Sequence, residues 1–135
     1  ERGGEKVSEV YLPLEAKRAD FDALVQQIKQ AAPDFVFSTV VGEGTAMLYR
    51  AYREAQLDPA RMPIASLTTC EAEVRQMGAE FAEGHITSAP YFQSVDTPVN
   101  HALVPALQAR HGPDQIANQC LEAAASNTTT PLKVG

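Results

Sequence analysis

The sequence predicts an α/β domain, a three-layer α-β-α arrangement around a mostly parallel sheet. Three observations predict it. Short β-rich apolar runs alternate with amphipathic stretches of helical length along the chain, the pattern of βαβ units. The run from Phe35 to Val41 is apolar at almost every position, as a strand covered on both faces requires. The turn Gly42-Glu43-Gly44-Thr45 follows at once. It sits where that strand would pass into its helix, the place where open α/β sheets bind ligands.

Each element has its own local signal. Val7 to Leu12 reads as a short strand stopped by Pro13. Ala19 to Ala32 reads as a helix with Asp20 as N-cap, because Phe21, Leu24, Val25 and Ile28 recur at helical spacing. Pro33-Asp34 breaks it and leads into the apolar strand. Thr45 is the expected N-cap of the next helix, which runs to about Gln56 with Met47, Leu48, Ala51, Tyr52 and Ala55 on its inner face. Pro63 to Leu67 reads as a third strand, and Thr68 with Glu71 fits a capping box for a helix reaching Gly78. His85 to Phe92 reads as a fourth strand. Thr97-Pro98 opens a helix with Val99, Leu103, Ala106 and Leu107 on its buried face, ended by Gly112. Asp114 to about Ala125 reads as a last helix, and Ser126 to Gly135 as an irregular Thr-rich tail.

Composition narrows the function classes. The chain has 135 residues, 44% hydrophobic and 21% charged, which suits one folded domain with a core. The net charge of −6 disfavours direct binding to nucleic acid or to an anionic membrane surface. No apolar run approaches the roughly 20 residues of a membrane span. The opening Glu1-Arg2-Gly3-Gly4 resembles a helix C-terminus with a glycine stop, so the chain reads as a fragment. Cys70 and Cys120 lack metal or redox spacing. A disulfide between them stays open, and two unpaired buried thiols are the favoured reading.

Several residues could carry chemistry. The glycine turn lacks both the third glycine of a dinucleotide fingerprint and the lysine of a phosphate loop, so no nucleotide cofactor is expected. Ser66, Thr68 and Thr69 cluster at the end of the third strand and suit a neutral polar ligand. Tyr91 and Phe92 would end the fourth strand as an aromatic wall. His85, His101 and His111 lie on different elements with no partner that makes a triad. Glu43, Glu71 and Asp96 fall near strand ends without a recognisable hydrolase pairing. No metal set is visible, and the chain reads as non-catalytic. The competing enzyme reading, an amidase using Glu71 or Cys70, rests on the shared architecture alone.

Four runs carry a resemblance. They are Asp34 to Ala51, Pro63 to Val74, Ala82-Glu83-Gly84, and Ala89-Pro-Tyr-Phe-Gln-Ser-Val-Asp-Thr-Pro98. In this order they resemble the second lobe of the type I periplasmic-binding-protein family. Within it they are most similar to the amide-sensing negative regulators of aliphatic amidase operons, then to urea- and short-chain-amide-binding proteins of ABC transporters. The resemblance implies a receptor lobe over residues 1–125 that closes with an N-terminal lobe, absent here, on a short aliphatic amide or urea. By position, Val40, Val41, Gly42, Thr68, Thr69 and Tyr91 would face the ligand. The partner would be an RNA-binding antitermination protein in the regulator branch, or a membrane permease in the transporter branch. The compartment would be cytoplasmic or periplasmic accordingly, and self-association is left open. A branched-chain amino-acid receptor is the further alternative. The resemblance also implies that the lobe's first strand-helix unit is missing, so that the Val7 to Leu12 strand would lose its neighbour.

Overall fold

The computed structural model describes residues 3–89, 91–114 and 116–117. The chain divides into two compact units, one of Glu1–Thr69 with Glu73–Ser88 and one of Cys70–Ala72 with Ala89–Gly135.

The first unit holds a three-stranded sheet of β1 (Val36–Ser38), β2 (Ile64–Ser66) and β3 (Ile86–Thr87), in that spatial order. Both pairings are parallel, with Val36 opposite Ile64, Ser38 opposite Ser66, and Ser66 opposite Thr87. This is the expected α/β class with a parallel sheet. Because successive side chains alternate faces, Val36, Ser38, Ile64 and Ser66 share one face, and Phe37, Ala65 and Ile86 the other. The first face is covered. Ile64 lies in one core with Phe21, Val25 and Ile28 of α1 (Arg18–Ala31), Leu48, Tyr49 and Tyr52 of α2 (Glu43–Glu54), and Met77 of α3 (Glu71–Met77).

The second face differs from the expectation of a strand buried on both sides. Phe35, Phe37, Leu67 and Ile86 are all more than half exposed. Among the described residues of this unit, the second helical layer of a three-layer stack is not built.

Several boundaries move for local reasons. Val7 to Leu12 is not a strand. It enters no ladder of the sheet, whose outer strands are β1 and β3, and Val7, Val10 and Tyr11 are exposed. Asp20 is not the N-cap of α1. The cap is Lys17, and Asp20 sits three residues inside, accepting the Lys17 N–H at 2.7 Å. A carboxylate there also faces the positive end of the helix. Thr45 is not the N-cap of α2 either. Gly42 holds that place with φ 61°, a conformation that favours glycine. The inner face of α2 gains Ala46 and Tyr49, while Met47 and Ala55 are only partly buried.

The Thr68–Glu71 capping box does not form, since both side chains have other partners. A short α4 (Ala79–Ala82) follows Gly78, whose φ is 103°. The fourth expected strand contracts to the two residues of β3, with Ser88 still donating to Ser66 O at 3.0 Å. Pro90 has no N–H with which to continue a ladder. Tyr91 and Phe92 therefore do not end a strand. They fall in the second unit.

The second unit carries α5 (Pro98–His111), opened by Thr97, which accepts the Asn100 N–H, and ended at Gly112, as the sequence predicts. Its buried face is not the expected one. Val99 is 69% exposed, Ala106 is exposed, Leu103 and Leu107 are half-buried, and the buried residue is Asn100. The expected helix after Asp114 and the Thr-rich tail lie almost wholly outside the described residues.

Candidate functional site

The carboxyl ends of β1 and β2 place a set of hydroxyl groups side by side. The β1 end continues through Thr39, Val40 and Val41 into Gly42 and the start of α2. Val40 O accepts two hydroxyl protons, from Thr45 Oγ1 at 3.0 Å and from Thr68 Oγ1 at 2.6 Å. These bonds tie the β1 end to the first turn of α2 and to the segment after β2. Thr45, expected as a cap, instead anchors its helix to the strand.

Behind Thr68 lies a buried polar cluster. Thr69 Oγ1 donates to Ser66 Oγ at 2.8 Å, and Thr68 N–H donates to the same oxygen at 3.1 Å. Ser66 Oγ and Thr68 Oγ1 are 3.3 Å apart, as are the Tyr49 hydroxyl and Thr69 Oγ1. Thr87 Oγ1 of β3 donates to Thr69 O at 2.5 Å. Ser66, Thr69, Thr45 and Tyr49 are each no more than 3% exposed. Burial pushes the Tyr49 phenol above its usual range, so it stays protonated at neutral pH.

The predicted ligand residues therefore differ in what they present. Val41 is 48% exposed, Gly42 is exposed, and Thr68 and Val40 are half-buried. Thr69 is buried, with its hydroxyl proton committed to Ser66. Next to Gly42, the first turn of α2 carries main-chain N–H groups without an acceptor inside the helix. The structure brings Val40, Val41, Gly42, Thr68 and Thr69 together in the first unit.

Tyr91 belongs to the second unit, where its hydroxyl donates to Asn100 Oδ1 at 2.8 Å. Burial, and then the Glu71 charge, raise its phenol. Asn100 Nδ2 donates to the carbonyls of Phe92 (3.1 Å), Gln93 (3.3 Å) and Val95 (2.8 Å). One amide thus gathers the loop that carries Tyr91. In the same unit Glu71 Oε1 accepts from Ser94 N–H and Oγ at 3.2 and 3.1 Å. Glu71 Oε2 is shielded from solvent and has no hydrogen-bond partner among the described residues. A shielded carboxylate oxygen without a donor is costly, which marks a place where a donor is expected.

A depression of about 410 Å³ in the second unit is lined by Gln93, Asp96, Asn100 and His101 among others. It contains none of the predicted ligand residues. Its polar groups are already engaged, as in the 2.7 Å contact between His101 Nε2 and Asp96. Cys70 is buried, and Cys120 lies outside the described residues. No cluster of three metal-ligating side chains occurs among the described residues. No described helix is long and apolar enough to cross a membrane.

Sequence reasoning missed Tyr49 and Asn100. Tyr49 stands four residues after Thr45, so both lie on one face of α2, and that spacing was the available signal. Asn100 sits at the third position of a Thr97-capped helix, where its side chain can reach back over the preceding loop.

The parallel α/β architecture agrees with comparison at the family level. The model of the periplasmic binding protein domain family matches residues 1–130, and the chain belongs to that family.

Proposed function

We propose that this chain is one lobe of a non-catalytic receptor for a short aliphatic amide or urea, closing on its ligand against a second lobe. The observation that carries the reading is the polar surface without a cation at the β1 and β2 ends. Residues 39–44 and 67–70 contain no lysine, arginine or histidine, carry one carboxylate, Glu43, and present Thr68, exposed main chain at Val41 and Gly42, and the start of α2. A small neutral molecule with one carbonyl and one amino group matches such a surface. Affinity that differs between open and closed forms would shift the population toward closure. The amide-responsive regulator, with its RNA-binding antitermination partner, is the first reading. A substrate-binding protein that delivers amide or urea to an ABC permease is the alternative.

One observation favours a second ligand class. Glu43, exposed at the start of α2 beside Gly42, is a carboxylate that an ammonium group would pair with, as in a branched-chain amino acid. Isothermal titration of this chain joined to its partner lobe, with acetamide, butyramide, urea and leucine, separates the classes. Heat with the amides and none with leucine is expected. Heat with leucine alone transfers the assignment to amino acids, and heat with none of the four removes the receptor reading.

A further inference from the structure

The hydroxyl cluster at the strand ends has a fixed direction. Thr68 Oγ1 gives its proton to Val40 O, which can only accept. In its contact with Ser66 Oγ, Thr68 must therefore be the acceptor and Ser66 the donor. Ser66 Oγ already receives Thr68 N–H and the Thr69 hydroxyl, which agrees with its own proton pointing to Thr68. Thr69 has spent its proton on Ser66, so in the contact with Tyr49 the phenol donates. The protons run one way, from Tyr49 to Thr69, Ser66, Thr68 and Val40 O. A hydroxyl oxygen accepts up to two protons and gives one. Thr68 has thus given its proton, accepted one, and kept a single lone pair.

We propose that this one-way chain makes Thr68 an obligate acceptor, so that the receptor selects ligands offering an N–H and rejects isosteres that offer only a carbonyl. The inference rests on the reading that Thr68 meets the ligand. It adds the direction of the bond and the group that sets it. Tyr49 is a positioning residue at the donor end, buried with its phenol beside the hydroxyls of Thr69 and Ser66. Without that phenol Thr69 loses a donor, while Thr68 still gives its proton to Val40 O. Donation to Val40 O strengthens the remaining lone pair of Thr68 as an acceptor.

The test uses acetamide and acetone, which share size and carbonyl but differ in the N–H₂ group. Amide-detected NMR titration of this chain joined to its partner lobe reads shifts at Val41, Gly42 and Thr68. Wild type should bind acetamide about two- to tenfold more tightly than acetone, the range one neutral hydrogen bond supplies. Thr68→Val should bring acetamide to the level of acetone. Tyr49→Phe should keep the preference for acetamide, because Val40 O still takes the Thr68 proton, and a preference lost in that variant overturns the assignment of the direction to Val40 O. Wild type decides the matter even where a variant fails to fold. Equal binding of acetamide and acetone at these amides overturns the polarity inference and leaves the receptor reading standing. No shift with acetamide, butyramide or urea overturns the reading and the inference together.

Discussion

His85 Nδ1 accepts the main-chain N–H of Ile64 at 2.9 Å. The ring stands edge-on to Tyr49 and Tyr52, with centroids 4.9 and 5.0 Å away. An imidazole placed this way must be neutral at Nδ1. Burial, and then the Arg53 charge, push its pKa from 6.5 down to about 4. The folded pKa lies below the unfolded one, so the stabilisation is complete above pH 6.5 and is lost as pH falls toward 4. The expected loss is about 3 kcal/mol at most. Urea midpoints should fall across that window, and the slope should flatten in His85→Gln. A midpoint independent of pH between 7 and 4 would refute the assignment.

Ser66 is the hub of the strand-end cluster. Ser66→Ala leaves Thr68 N–H and the Thr69 hydroxyl without their acceptor. A cost of about 2 kcal/mol follows from two shielded donors losing one oxygen. Chemical denaturation measures it, with the exposed Ser94→Ala as a comparison expected to cost less.

Gly44 lies in the first turn of α2, where alanine ordinarily helps a helix by about 1 kcal/mol. Here an added Cβ would sit 2.9 Å from Val40 Cγ1 and 3.1 Å from Phe21 Cζ. Overpacking of this kind costs about 1–3 kcal/mol, so Gly44→Ala should destabilise by about 1 kcal/mol net. Phe21→Leu should make the same change cheaper, giving a favourable coupling in the double-mutant cycle.

Asn100 holds the loop before α5 through one accepted and three donated bonds. Asn100→Ala should speed amide exchange at residues 91–97 by about tenfold or more, corresponding to loss of about 1.4 kcal/mol of local protection. Unchanged exchange there would show that the loop is held by something else.

Phe35, Phe37, Leu67 and Ile86 form an exposed apolar face on the sheet. Surfaces of this kind drive association. Phe37→Lys should weaken any concentration-dependent self-association at least threefold in sedimentation equilibrium. Its effect on stability should be about 0.5 kcal/mol or less, the usual cost of an exposed change.

Helix positions were legible because periodicity is local. Phe21, Val25 and Ile28 announced α1, and Thr97-Pro98 announced α5. The parallel sheet was legible from alternation. Strand lengths were not. Val7 to Leu12 has the residues of a strand but joins no neighbour, and β-propensity expresses the fit to a neighbouring strand more than an intrinsic backbone preference. The burial of α5 misled for a related reason. Its apolar residues do not fall on one buried face, and the buried group is an asparagine that earns its place through four hydrogen bonds.

By itself the sequence determined the α/β class, the order of elements from α1 to α5 apart from the short α4, and the strand-end segments Val40 to Gly42 and Thr68 to Thr69. These follow from spacing and composition, which need no partner. Only the tertiary structure decided what those residues present. Thr68 is half-buried with its hydroxyl proton on Val40 O, and Thr69 is buried with its hydroxyl against Tyr49, twenty residues away. Hydrogen-bond direction depends on which groups meet across elements, and no local pattern encodes that.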